Sequence, residues 1–206
     1  MKLTYFDIYA KAEATRMLLT HAKVDFEDCR IQFPEMAAMK PDLEFGQLPL
    51  FEHDGKKMSQ SNSILRFVGK TYGYFPADHY QQYLVESTQD AVDDLYMKLV
   101  KFHFEKNEET KKVLKEEAIK FLTIFVGAFE KRLLANTSQK HLVGDKMTVA
   151  DFAFAGLAFS AFENEAHPLV TDLKPIVEAN PVVSAYIAHL KEDLKEYLAT
   201  RPPRPF

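Results

Sequence analysis

Four places in the chain hold residues whose types and spacing could do chemistry. Tyr5 lies near the end of the short strand-like segment Lys2–Phe6. A phenol at a strand end can donate a hydrogen bond to an anion, although a strand aromatic with a satisfied hydroxyl looks the same in sequence. Gly46-Gln47-Leu48-Pro49-Leu50 places a proline at the start of a strand, where it cannot donate to the ladder. A cis Leu48–Pro49 bond would turn the Leu48 N–H and C=O toward a ligand; an ordinary loop-to-strand proline would not. Gln60-Ser61 precedes an apolar helix. Ser61 suits a cap or first-turn position, and the free amides of a helix start suit a carboxylate. Asp90, Asp93 and Asp94 share one helix face at i, i+3 and i+4. Such a face is either simply solvated or, where two copies meet, a place for an amine or a hard divalent cation.

Other reactive side chains point to less. Cys29 is the single cysteine, which excludes an intrachain disulfide and a Cys-based zinc site and fits a reducing compartment. Its acidic neighbours Glu27 and Asp28 raise a thiol pKa and argue against a reactive cysteine. The seven histidines show no metal-ligand spacing and read as scattered surface or core residues. A net charge of −4 and a pI near 6.0 leave no electrostatic footprint for nucleic acid. The N-terminus lacks an apolar signal-peptide region, and the longest apolar run, Phe152 to Phe159, is too short to span a bilayer. A soluble cytoplasmic protein without membrane partners is expected.

These residues need elements to position them. Lys2–Phe6 and Phe26–Ile31 read as strands around a helix over Glu13–Ala22. Leu48–Glu52 and Lys57–Ser59 flank an Asp54-Gly55 turn signal, and Ser61–Tyr72 is helical. The order is β-α-β followed by β-β-α. Beyond residue 80 no convincing strand occurs. Helices are expected over Tyr80–Glu105, Glu108–Asn136, Thr148–Glu165 and Val182–Leu198, with Pro175 and Pro181 as punctuation. Tyr74–Asp78 reads as a short linker. Residues 1–75 balance ten basic against ten acidic side chains, so the net charge lies in the helical part. The expected fold is therefore α/β plus all-α: residues 1–76 as one unit and 77–206 as a helical one. The tail Arg201–Phe206 favours polyproline II, either as a peptide ligand or as a packed or frayed end.

Together, Gly-Gln-Leu-Pro at 46–49 and Gln-Ser at 60–61 resemble the glutathione site of the cytosolic glutathione transferases. Lys2-Leu3-Thr4-Tyr5-Phe6, Ala12-Glu13, Arg16, Phe26-Glu27-Asp28 and Arg30-Ile31 resemble the sigma class of that family. Gly144–Asp151 is similar to the family's helical capping motif, with Asp151 three after Thr148 as in a capping box. The resemblance covers the whole chain and implies a thioredoxin-like glutathione domain over 1–76. The helical domain over 77–206 would supply the electrophile pocket and dimer contacts.

The resemblance also implies roles. Tyr5 would be the catalytic residue, its phenol stabilising the glutathione thiolate. Gln47, Leu48 and Pro49 would bind the cysteinyl part, Leu48 through its backbone. Gln60 and Ser61 would hold the γ-glutamyl group, Lys40 the glycyl carboxylate, and Asp94 the amine of the glutathione bound to the partner subunit of a homodimer. Two positions depart from the sigma pattern. Met36 stands where that class has Trp, and Lys11 stands where it often has Arg. Phe6, Ile8, Tyr9 and Lys11 would line the electrophile pocket, completed by residues of the Tyr80–Glu105 helix and the C-terminal end. Glutathione is then a co-substrate, and no permanently bound cofactor is implied. A divalent cation at Asp90, Asp93 and Asp94 is the minor alternative to the amine contact. The implied reaction is conjugation of glutathione to hydrophobic electrophiles. Alternatives are a glutathione-dependent prostaglandin-type isomerase and a non-enzymatic, crystallin-like relative.

Overall fold

A computed structural model describes all 206 residues. Strands β1 (Lys2–Phe6), β2 (Glu27–Ile31), β3 (Leu50–His53) and β4 (Lys56–Met58) form one sheet in the order β2-β1-β3-β4. Helix α1 (Glu13–His21) carries the chain from β1 to a parallel β2, and β3 runs antiparallel to β1. In the β3–β4 turn Asp54 and Gly55 take φ of 49° and 72°, the two left-handed residues that a tight hairpin turn needs. A short helix α2 (Met36–Met39) lies in the long β2–β3 connection, and α3 (Ser61–Thr71) follows β4. This sheet with its helices is thioredoxin-like, as expected.

The remainder is helical: α4 (His79–Phe104), α5 (Glu108–Ala135), α6 (Val149–Leu157), α7 (Val170–Glu178), α8 (Pro181–Asp193) and α9 (Lys195–Thr200). Side chains start them. Asp78 accepts from the Gln81 amide ahead of α4, and Asn107 accepts from the Thr110 amide ahead of α5. Thr148 and Asp151 form the capping box of α6. All nine residues of α6 are buried, which explains why its sequence is apolar on every side.

Three element boundaries differ from expectation. The helix read over Thr148–Glu165 ends as α6 at Leu157 and continues only as a wider turn through Phe162. The final helix breaks at Leu194 into α8 and α9. Pro175, read as punctuation, sits inside α7, a helix not expected from the sequence, while Pro181 is the first residue of α8 behind an Asn180 cap.

The sheet half and the helical half share one apolar core, in which Leu3, Met17 and Ile64 are continuous with Phe125, Phe154 and Leu190. Two glycines permit that contact. A Cβ on Gly69 would stand 2.2 Å from Val149 Cγ2, and one on Gly156 would stand 3.2 Å from Ala14. A buried ionic chain adds a polar tie. Arg16, with no exposed surface, donates to Asp28 at 2.9 Å and to Ile8 O at 2.8 Å and lies beside Glu13. Glu13 accepts in turn from Arg201 at 2.9 Å. The segment after β1 is thereby held between α1, β2 and the C-terminal tail.

Candidate active site

A cleft runs along the seam between the sheet and α4, and it has two compartments. The polar one is lined by Met36, Gly46, Gln47, Leu48, Gln60, Ser61, Asn62 and Asp93. The apolar one is lined by Tyr5, Ile8, Phe33, Tyr96, Val100, His103 and Phe206, among others. Phe6, Lys11 and Met97 line both and form the shared wall.

Local structure accounts for the polar compartment. The Leu48–Pro49 bond is cis, and Leu48 is partly buried at the compartment wall. Gln60 takes φ of 71° and ψ of 109°, a conformation that side-chain-bearing residues rarely adopt and that clusters at functional sites. Its amide donates to Gln47 Oε1 at 3.3 Å. Gln60 is the residue ahead of α3, and no side chain caps that helix. Ser61 is therefore not the cap. It is the first helical residue, in a turn whose leading amides lack helical partners and favour an anion.

Tyr5 is buried, with its hydroxyl group pushed up to about 12 by burial, against the opposing pull of the Lys11 backbone N–H and the Arg16 charge. It remains a protonated donor throughout the neutral range. Lys11 is lowered to about 8 by burial. Its ion pair with Asp93 favours the charged form, and its ammonium sits 4.4 Å from the centre of the Tyr96 ring. Elsewhere the apolar compartment is kept uncharged. Burial lowers His103, and it lowers His167 to about 4, where His167 Nδ1 accepts from the Leu169 amide. Burial also raises Tyr96 well above its ordinary value.

The tail forms one wall of this compartment. Arg204 donates to Asp7 at 2.6 Å and, through its amide, to the Tyr9 hydroxyl at 3.0 Å. Asn164 donates to Arg204 O, and Tyr9 N–H donates to Phe206 O at 2.7 Å. The Phe206 ring is thereby set 4.0 Å from His103, centre to centre.

Most of the residues singled out in the sequence meet here, but Tyr9, Lys40, Pro49, Asp90 and Asp94 do not. Tyr9, expected in the electrophile pocket, is buried instead as the anchor of the tail, with Arg201 over its ring at 4.0 Å. Lys40 is exposed, its stem beside Gly46 rather than on the compartment wall. Pro49 is buried and lines neither compartment. Asp94 is exposed and lines neither compartment of its own chain; the neighbouring Asp93 does. The carboxylates of Asp90, Asp93 and Asp94 do not converge within the chain, because Asp90 and Asp94 point to solvent and Asp93 engages Lys11. Sequence reasoning expected this helix in the pocket but did not single out Tyr96, Met97, Val100, His103 and Phe104 as its lining stripe, and it read Asp93 only as part of an acidic face. Their 3–4-residue spacing was the available signal, but it is also the signal of a core-facing stripe.

Known proteins resemble the chain over most of its length. The family model described as the glutathione S-transferase N-terminal domain matches residues 1–70, and that of the C-terminal domain matches residues 93–201. Glutathione S-transferase 1 of Ascaris suum is 32% identical across 100% of this chain and 98% of its own length. Hematopoietic prostaglandin D synthase of Gallus gallus is 30% identical across 90% of this chain and 94% of its own. Among solved structures, the glutathione S-transferase from Ascaris lumbricoides superposes with a TM-score of 0.86 at 29% identity, covering 100% of this chain and 98% of that one.

Proposed function

The chain belongs to the glutathione S-transferase family, and from that premise we propose that it conjugates glutathione to hydrophobic electrophiles with Tyr5 as the thiolate-stabilising residue. The observation that carries this reading is a buried phenol, protonated up to about pH 12, beside the wall that separates a polar from an apolar compartment. A donor of this kind favours thiolate over thiol, and each unit of thiol pKa depression corresponds to about 1.4 kcal/mol. The thiolate attacks the electrophilic atom, a sulfur–carbon bond forms and the leaving group departs with its electron pair. Holding both reactants in adjoining compartments supplies the proximity.

In this reading residues 1–76 are the glutathione domain and 77–206 the domain of electrophile and dimer contacts. Gln60, Ser61 and the start of α3 hold the γ-glutamyl carboxylate. Gln47, Leu48 and Pro49 bind the cysteinyl part, and Lys40 reaches the glycyl carboxylate from its exposed position. Met36 packs on the glycyl end in place of the sigma-class Trp, offering thioether contact but no indole N–H. Lys11 places a positive charge near the sulfur and, with Phe6 and Ile8, borders the electrophile. Asp94, exposed on α4, serves the glutathione of a second chain in a homodimer. We assign the protein to the sigma class and to the cytoplasm. No helix is long and apolar enough to cross a membrane.

Ultraviolet titration of bound glutathione tests the reading directly. The thiolate should form below the free-thiol range in the wild type, and its pKa should rise in Tyr5→Phe. Turnover of a chloronitrobenzene should fall about 100-fold in that variant while glutathione affinity holds. An unchanged turnover removes Tyr5 from the mechanism. The second reading, isomerisation of a prostaglandin endoperoxide, is favoured by the similarity to the avian synthase. Activity on prostaglandin H₂ alone, with none on the chloronitrobenzene, would replace the first reading with the second.

A further inference from the structure

Away from the cleft, three side chains remote in sequence meet on one flank of the helical half. We propose that His141, His189 and Asp193 bind a divalent transition-metal ion, with zinc as the reference metal. One ligand atom from each lies within 4.8 Å of the other two. His189 and Asp193 stand at i and i+4 on α8, so they share a face. His189 Nε2 and Asp193 Oδ2 are 3.3 Å apart. Two ligands bound at about 2.0–2.1 Å in a tetrahedron are separated by about that distance.

The second observation is the state of the imidazoles. His141 is 8% exposed, and its Nδ1 has no hydrogen-bond partner; His189 Nε2 meets only Asp193, in an ion-pair contact without hydrogen-bond alignment. The nearest carboxylate to His141 is Asp151, at 4.0 Å, beyond hydrogen-bond range. Asp151 has little to offer it. Its Oδ1 already accepts from the Leu142 amide and the Tyr186 hydroxyl, and its Oδ2 accepts from the Thr148 amide and hydroxyl. A buried imidazole nitrogen with no partner, beside a second imidazole that meets only a carboxylate, is unusual in a folded protein.

One ion engages both histidines, and Asp193 supplies the charge that offsets it. Two nitrogens and one carboxylate oxygen suit zinc, nickel or copper better than magnesium or calcium, which take oxygen ligands. A fourth position is left for water. Asp193 also forms part of the wall of a surface cleft with Thr20, His21, Lys23 and Glu196, so its carboxylate is reached from solvent. The two imidazole rings stand 5.4 Å apart, so modest side-chain rotation closes the site. The bound ion would clip α8 to the loop that precedes α6.

The test uses the full chain after chelator treatment, titrated with zinc alone by calorimetry and with cobalt for its visible spectrum. We expect one ion per chain, a four-coordinate cobalt spectrum and a raised melting temperature. His189→Ala and Asp193→Asn, both at half-exposed positions, should weaken binding about tenfold or more while leaving transferase turnover unchanged. His141→Gln should do the same if it folds. No saturable binding, or binding that survives both α8 substitutions, overturns the proposal.

Discussion

Two polar clusters in this molecule look alike by residue type and differ in what they leave unmet. Around Asp151 a fully buried carboxylate accepts from two backbone amides and two hydroxyls. Burial raises its pKa, and those hydrogen bonds work against the rise. Donors and acceptors match within the protein, so the cluster holds structure and offers a ligand nothing. In the polar compartment of the cleft, an uncapped helix start, a strained Gln60 and an exposed Gln47–Gln60 contact leave donors facing solvent. Satisfied polar groups fix a fold; unsatisfied ones along a cleft wait for a substrate.

Substitutions can sharpen that contrast. Asp151→Ala orphans four donors at once and should lower stability by about 4 kcal/mol, read by denaturant unfolding. If it costs less than about 1 kcal/mol, the cluster does not hold structure in the sense described. Ser61→Ala should do the reverse. We expect glutathione affinity to fall about five- to tenfold by calorimetry, with stability changed by less than about 0.5 kcal/mol. Removing Pro205 and Phe206 separates the two compartments. The KM for an apolar electrophile should rise about threefold through lost contact, with glutathione affinity unchanged.

The smallest effect is a pH dependence. The Arg204 guanidinium holds Asp7 below the ordinary carboxylate range. The pair therefore adds stability above the usual value of about 3.9, and this is lost as pH falls through the lower folded value. Acidification below about pH 4 should loosen the tail and expose the amides around Arg204 to hydrogen exchange. In Asp7→Asn that acid transition should vanish.

The site was unevenly legible in the sequence. The polar compartment comes from short contiguous segments, 46–49 and 60–61, whose proline, glutamine and serine have local backbone meaning. The apolar compartment comes from a stripe on α4 and from a tail more than a hundred residues away. The tail could be read as a free peptide ligand, yet Arg204 and Tyr9 tie it down. Tyr9 looked like pocket lining because it follows Tyr5 closely, but a buried ionic chain through Arg16 turns that segment inward. The helical boundaries slipped where tertiary packing overrode local pattern, at Leu157 and Leu194.

By itself the sequence determined the order of the four strands and the long helices, though not α2 or α7, together with the hairpin at Asp54-Gly55, the capping box of α6 and the position of Tyr5 near a strand end. Each rests on backbone conformation or hydrogen bonds within a few residues. Tertiary structure alone decided that Asp93 rather than Asp94 faces this chain's own cleft, which tail contacts set Phe206 against His103, and that His141 meets Asp193. Those choices depend on which face of a helix is buried against which partner. Helical spacing names a face without saying what will cover it.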